Sequence, residues 1–548
     1  MHSDLIPDLI LTRGNVITVH DPRPRAEAIA IRGNRIQAVG TSSDIEAMRG
    51  ARTEVIDLGG KTVIPGFNDA HDHMAGFGLE QNMVSLHPRN VENIEALVGA
   101  IRERAAGEVA RTWVMGAGYD DNKLAEGRHP TRHDLDRATG KHPVYARHTS
   151  GHMCVVNSEA LRAVGIDRET PNPEGGHIVR DAHGDPTGLL QETAMQLVTR
   201  EFYPYSVAAL VTALATANDV YVSEGITSHT EAGIGYLSDI ELEAYTKAVA
   251  DGSLKVRSNL MIRAESLREI EGAAGESFFG LSLGLRTGWG DDRLKIGPMK
   301  MFSDGSLIGR TAALREGYAT DPDNTGFFAT PESTLRTWIL QGHASGWQLA
   351  THAIGDRAIS FILDCYEEAI GAHPRADHRH RIEHCGVIDA DILGRIERLG
   401  VIPVPQQRFI GELGDGFRRS LGPDRTRWCY LQRSFLERGI RMPGSSDRYV
   451  VQGAPLLGIH DAVNQKTASG ADYVPEERIT AEQAIRAYTL DSAYASFDEH
   501  VKGSIEPGKL ADLAILGEDP TSVPAEQIRD VHVVATIIDG EIVFDSGI

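Results

Sequence analysis

The sequence predicts an α/β chain organised around a (β/α)8 TIM-like barrel, because eight short apolar runs of β type alternate with helical stretches. Two further observations complete the architecture. Turn-punctuated strands at both ends of the chain predict a small composite β-sandwich, 1–62 with 495–548. A stretch of about 150 residues after the first run is far too long for a βα connection, and predicts an insertion roofing the barrel.

The N-terminal strands are Leu9-Ile-Leu-Thr12, Asn15-Val-Ile-Thr-Val19, Ala28-Ile-Ala-Ile31 and Arg35-Ile-Gln-Ala-Val39, with Gly33-Asn34 supplying a tight turn. Ala511 to Leu516, Val533 to Ile538 and Glu541 to Phe544, with Asp539-Gly540 between the last two, match them at the far end. Two unrelated hairpins flanking the core are the alternative to one sandwich. The barrel, 63–494, takes its strands from Val63-Ile64, Gly225 to His229, Val256 to Ile262, Leu294 to Phe302, Trp347 to His352, Arg379 to His384, Val401 to Pro405 and Ile440 to Gly444. In the insertion, 80–205, Trp113-Val-Met115 and Pro143-Val-Tyr-Ala146 read as strands and Val91 to Arg104 as an amphipathic helix. Its turn-rich pieces, 170–176 and 181–186, read as ordered loops.

With 41 % hydrophobic and 24 % charged residues, the 548-residue chain has the composition of a soluble globular enzyme. A net charge of −22 without any Lys/Arg-rich run excludes nucleic acid as a partner and favours small neutral or cationic ones. Cys154, Cys365, Cys385 and Cys429 are too scattered for a disulfide framework, which suits a reducing compartment. The start Met-His-Ser-Asp-Leu-Ile-Pro-Asp lacks the basic, apolar pattern of a leader, and no run reaches the roughly 20 apolar residues of a membrane span, so a cytoplasmic address is expected. A homodimer is compatible with this composition but not dictated by it.

Barrel catalysis is expected at C-terminal strand ends, and five elements fall there: His71-Asp-His73, Lys300, His352, His384 and Asp447. Histidines one residue apart on extended backbone point to the same side and can hold one ion. His352 and His384 lie one βα unit apart, hence on neighbouring strands. Asp447 follows the small residues Gly444-Ser-Ser446, and a carboxylate there can touch both a metal and its water, shuttling a proton, or cap the next helix. Lys300, by spacing alone, is a core-edge or substrate-binding lysine, unless CO₂ converts it to a carbamate able to bridge two ions.

The set resembles the amidohydrolase superfamily, more narrowly the YtcJ-like amidohydrolases that include N-substituted formamide deformylases. The motifs are Pro65-Gly-Phe-Asn-Asp-Ala-His-Asp-His73, Lys300 to Leu307, His352-Ala-Ile-Gly-Asp356, Arg381-Ile-Glu-His384 and Ser446-Asp447. In the insertion, Gly151-His152 with Asn157-Ser158, Gly175-Gly176, and Pro186-Thr-Gly-Leu189 with Glu192 match too, so the likeness runs nearly end to end. The resemblance implies a binuclear centre, usually zinc: His71 and His73 on one ion, His352 and His384 on the other, carbamylated Lys300 between them, and Asp447 as ligand and proton shuttle. A bridging hydroxide would then attack a carbonyl and break a carbon–nitrogen bond.

Two departures bear on the substrate. Asp447-Arg-Tyr-Val450 lacks the proline that relatives often carry two residues after the aspartate, and Pro403-Val-Pro-Gln-Gln-Arg408 lacks their Gln-Pro pair. Arg448, Tyr449, Gln406 and Gln407 therefore either line a modified pocket or pack loops. His152, His148 and His229 are candidate substrate or supporting groups among 22 histidines, and Glu192 either pairs with a substrate cation or caps a roof helix. The expected reaction is hydrolysis of a linear amide, an N-substituted formamide or N-acyl amine. Hydrolysis of a cyclic amide or ester, ring deamination, and a non-catalytic binding or regulatory barrel are the rivals.

Overall fold

In the computed structural model, which describes residues 6–548, seven parallel strands curl into a nearly closed sheet. Met1 to Leu5, part of the segment read as lacking a leader, lie outside the described residues. The barrel strands are β1 (Phe67–Asp72), β2 (Ile226–Ile234), β3 (Arg257–Arg263), β4 (Leu294–Phe302), β5 (Leu349–Ala353), β6 (Arg381–His384) and β7 (Ile402–Val404), adjacent in chain order. Their β-branched and aliphatic residues are buried, with helices such as Val207–Ser223 and Asp356–Ala372 packed outside. Register carries the candidates to one rim: Phe302 pairs with His352, and Ala353 with His384.

The first and last strands differ from expectation. Val63-Ile64 belongs to strand Thr62–Pro65, which pairs antiparallel with Leu513–Leu516 in a terminal sheet, while the barrel begins at Phe67. The chain crosses between the two at Gly66, where a Cβ would lie 2.2 Å from Thr227 Cγ2. Residues 440–444 form no ladder strand. Pro443 has no N–H to offer, and the backbone-to-backbone bonds that join this segment and the loop after it to β1 are Ala70 N–H to Gly444 O (3.0 Å) and Asp447 N–H to His71 O (2.8 Å). Towards β7 the seam is closed by side chains: Gln406 Nε2 donates to Ser445 Oγ at 3.1 Å and Ser445 N–H to Gln407 Oε1 at 3.2 Å.

Both chain ends build a four-stranded and a six-stranded sheet that share one apolar core, including Leu11, Ile29, Val63, Leu513, Ile515 and Ile537. Each such buried aliphatic contributes about 1.5–3 kcal/mol. The second strand stops at Ile17 rather than Val19, whose φ of 54° takes it out of the extended region. The insertion forms a six-stranded sheet of its own, from Val84–Ser85 to Pro186–Glu192. Its helix starts at Ile94, not Val91, because the Asn93 side chain caps the Ala96 N–H. Among the described residues no helix is long and apolar enough to cross a membrane.

Candidate metal centre

His71 is at the end of β1, and His73 lies just beyond it, opening helix Met74–Glu80. Both turn Nε2 towards Asp447 Oδ1, at 3.4 Å from His71 and 3.2 Å from His73. His384 joins them: one donor atom each from His71, His384 and Asp447 lies within 4.8 Å of the others, all three residues buried. The His352 and His384 rings are 4.5 Å apart, and those of His71 and His384 5.0 Å. The HxH pair, both later histidines and the aspartate thus meet at one cavity, of about 210 Å³, which Lys300 also lines.

The far ring nitrogens have their own partners. His71 Nδ1 lies 2.5 Å from Glu383 Oε2, and His384 Nδ1 2.7 Å from Gln406 Oε1. His73 Nδ1 lies 3.5 Å from Glu231 Oε1. Burial would raise Glu383, but Arg381 and then His71 hold it far below the usual carboxylate range, so it accepts and His71 Nδ1 must donate. That leaves the His71 Nε2 lone pair facing a carboxylate oxygen, an arrangement that asks for a proton or a cation between them. A histidine held this way by a carboxylate or amide is the usual support of a metal ligand.

Electrostatics favour unprotonated histidines on the β5–β6 side. Burial lowers His352 well below its ordinary value and His384 to about 3. Burial also pulls on His73, but Asp447 and Glu231 outweigh it and raise His73 to about 9. Lys300 is fully buried and its Nζ has no hydrogen-bond partner. Burial lowers its ammonium to about 8, against the opposing pull of Glu383 and Asp447.

Of the substrate candidates, His152 and Glu192 line the cavity and are bonded to each other, Nδ1 to Oε2 at 2.8 Å. Three others do not line it. His229 is enclosed between strands, with Nδ1 on Asp72 and Nε2 on Ser258, both at 2.8 Å. Gln406 is spent on His384 and the barrel seam. Arg448 turns away to a separate cavity, where Nη2 bonds Glu224 at 2.6 and 2.8 Å under the Phe77 and Tyr221 rings. Tyr449 does line the main cavity, beside Arg263, Tyr236 and Phe302.

Sequence reasoning passed over Glu231, Glu383, Asp69 and Asp304. Asp69 accepts from the backbone N–H groups of His71 and Ser446, fixing the Asp447 loop against β1, and Asp304 accepts from Ala313, Ile354 and Gly355. Asp69, Asp304 and Glu383 stood inside quoted motifs without being assigned a role; Glu231 gave no spacing signal. Glu192, His384, Tyr430 and Asp447 all hold φ between 51° and 69°. Left-handed non-glycine backbone gathered at one site is the mark of a locally strained functional region.

A second buried cluster, Asp120, Asp121 and His148, has metal-like proximity. The Ser150 N–H donates to His148 Nδ1 at 3.1 Å, so Nε2 carries the proton and donates to Asp121 at 3.2 Å. Arg310 and Lys123 approach the same carboxylates at 3.8 and 4.0 Å. Its charges are met by its own ion pairs.

The barrel and the donor set at its strand ends define the class, a barrel hydrolase whose site has metal-binding character. The sequence profile of the amidohydrolase family matches residues 54–544, and the chain belongs to that family. It is thereby a hydrolase acting on carbon–nitrogen bonds other than peptide bonds. The chain is 31 % identical to the amidohydrolase YtcJ of Bacillus subtilis over 97 % of its own length and 98 % of that protein. It is 29 % identical to the N-substituted formamide deformylase of Arthrobacter pascens, covering 97 % of each. A metal-dependent hydrolase from Pyrococcus furiosus superposes with a TM-score of 0.71 at 27 % identity, over 94 % of this chain and 100 % of that one.

Proposed function

We propose that the chain hydrolyses a linear non-peptide amide, an N-substituted formamide or N-acyl amine, at a centre of two divalent ions, with zinc the expected metal. The observation that carries this reading is the meeting of His71 Nε2 and His73 Nε2 on Asp447 Oδ1 beside a buried lysine nitrogen without a hydrogen-bond partner. His71, His73 and Asp447 would hold one ion and His352 and His384 the other. Lys300 fits the bridging place: its Nζ is buried, free of hydrogen bonds and low in basicity, so its neutral amine can add to CO₂, releasing one proton and becoming a carbamate. Divalent ions there would polarise the substrate carbonyl and bring the pKa of water down to about 7.

The protein's own groups supply the rest. Asp447 is held ionised, since contacts to His71 and His73 outweigh the effect of burial, so it can take a proton and return it to the leaving nitrogen. Glu383, Gln406 and Glu231 keep the histidine rings turned to the centre. His152, oriented by Glu192, faces the substrate. The relative that acts on N-substituted formamides favours the linear amide over cyclic amides, esters and ring deamination.

The same reading divides the chain into a composite β-sandwich domain built from both termini and a barrel roofed by 80–205; the shared core of the terminal sheets supports the composite domain and, by including Val63, moves its first boundary from 62 to Gly66. A cytoplasmic enzyme, monomeric or homodimeric, accords with four buried, unpaired cysteines. The test is metal analysis of chelator-free protein together with a screen of amides, esters, lactams and aminated heterocycles. Up to two ions per chain and turnover of linear amides are expected; full activity in metal-free protein, or turnover confined to another class, would sink the proposal.

A further inference from the structure

The main cavity is not the only space at the metal-type residues. A second, of about 20 Å³, opens on the other side of the same group, and both are bordered by Ser150, His152, His352, His384, Asp447 and Val450. The bond to be broken must lie at that junction, so its two substituents enter spaces that differ about tenfold in volume. Beyond the junction the small cavity is walled by Leu307, Ile308, Phe409, Leu413, Phe417 and Tyr430. Apart from the junction its walls are largely apolar. The Tyr430 hydroxyl is an exception: it is buried and has no hydrogen-bond partner.

Tyr430 is rigidly placed. Its ring stacks on Phe417 at 5.1 Å and meets Phe409 at 5.6 Å, and Phe409 in turn stacks on His384 at 6.2 Å. Its backbone is left-handed, φ 55°, and is held by its N–H to Gly386 O at 2.8 Å. A bulky residue kept in that conformation, with a hydroxyl that the fold itself leaves unpaired, is arranged for something outside the fold.

We infer that this small cavity is the acyl subsite, that it limits the acyl group to formyl or acetyl, and that the Tyr430 hydroxyl donates to the acyl oxygen. The inference rests on the proposed amide hydrolysis and names the part of the substrate that each space receives. A volume of this size admits one or two water-sized groups, hence a hydrogen or a methyl and not a propyl chain. The amine cannot be the occupant. It leaves as an ammonium, and burying that charge among leucine, isoleucine and phenylalanine side chains is costly, whereas a methyl is at home there. The amine portion takes the wide cavity.

Two series on the zinc-loaded protein test this. One measures kcat/KM for the formyl, acetyl, propionyl and butyryl amides of a single amine, and for formamides of amines of increasing size. The other measures binding of formate, acetate, propionate and butyrate by calorimetry, which needs no turnover. Both acyl series should fall by about tenfold or more beyond two carbons, the amine series should not, and Leu413→Ala should move the limit to longer chains. Tyr430→Phe should lower kcat by about tenfold or more while leaving Tm unchanged or raised, because the fold loses no hydrogen bond; a structural role would lower Tm instead. Absence of amide turnover with the carboxylate limit present and moved by Leu413→Ala would end the amide reading and leave the subsite standing. No carboxylate binding, no chain-length limit, a limit on the amine side, or full turnover in Tyr430→Phe would each overturn the inference.

Discussion

His71 Nδ1 lies 2.5 Å from Glu383 Oε2, and this one contact decides what the opposite side of the ring can do. With its proton committed to Glu383, the ring offers only a lone pair to the centre, where Asp447 Oδ1 waits 3.4 Å away. Glu383 is itself fixed by two bonds from Arg381, both 2.8 Å, so the chain from guanidinium to carboxylate to imidazole is rigid. Glu383→Gln keeps the shape but allows the amide to present an N–H to His71 and reverse the tautomer. Metal affinity should fall by about 10–100-fold, read by competition with a chelator of known strength. Unchanged affinity would mean that Glu383 serves only the fold.

Lys300 predicts a pH dependence whose sign is fixed by the neutral amine. Burial places its ammonium at about 8, so the neutral, CO₂-reactive form grows as pH rises through that value. From pH 7 to pH 8.5 the neutral fraction rises about eightfold, and at constant dissolved CO₂ the carbamate should form faster by the same factor. Carbon-13 NMR of metal-free protein given labelled bicarbonate would show a carbamate signal that Lys300→Met lacks. Equal signals in both proteins would exclude Lys300 as the site.

Asp447 couples the two sides of the centre, because its left-handed backbone, φ 55°, is pinned by its own N–H to His71 O at 2.8 Å. Asp447→Asn preserves size while removing the proton-accepting charge. The expected result is a fall in kcat of about 10²–10⁴-fold with a smaller change in KM, measured on whichever amide is turned over best. A KM effect with kcat intact would make Asp447 a binding group and not the proton carrier.

Much of this arrangement was legible, and the residues show why the rest was not. His71, His352, His384 and Asp447 each end a local apolar run, so short stretches of sequence place them on one rim once a barrel is assumed. Val63-Ile64 is apolar, whereas Phe67–Asp72 carries Asn68, Asp69, His71 and Asp72, so local hydropathy picks the wrong run as the barrel strand; the partner that decides, Leu513–Leu516, lies at the other end of the chain. Glu231 and Tyr430 acquire their places only through tertiary contacts, to His73 across neighbouring strands and to Phe417 across a loop. Arg448 and His229 look like site residues by position, yet Glu224 and Asp72, which no spacing rule connects to them, draw them elsewhere.

The junction between barrel and terminal sheets rests on a charge that has left water. Arg257, the first residue of β3, donates Nε and Nη2 to the two oxygens of Asp512 at 2.6 and 3.0 Å, both side chains being 3 % exposed. The same Asp512 accepts the Asp539 N–H at 3.0 Å, and Arg257 also pairs with the Asp539 carboxylate. Arg257→Ala strands Asp512 in a low-dielectric site and should cost about 3–5 kcal/mol in urea unfolding at neutral pH, far more than an exposed pair. The pair itself need not be that valuable, because its attraction offsets a large desolvation penalty. Arg257→Met with Asp512→Leu removes both charges, so it should recover most of the loss despite deleting more hydrogen bonds than the single change. If the double variant is as unstable as Arg257→Ala, the hydrogen bonds to Asp539 and the backbone hold the junction, and the buried charge does not.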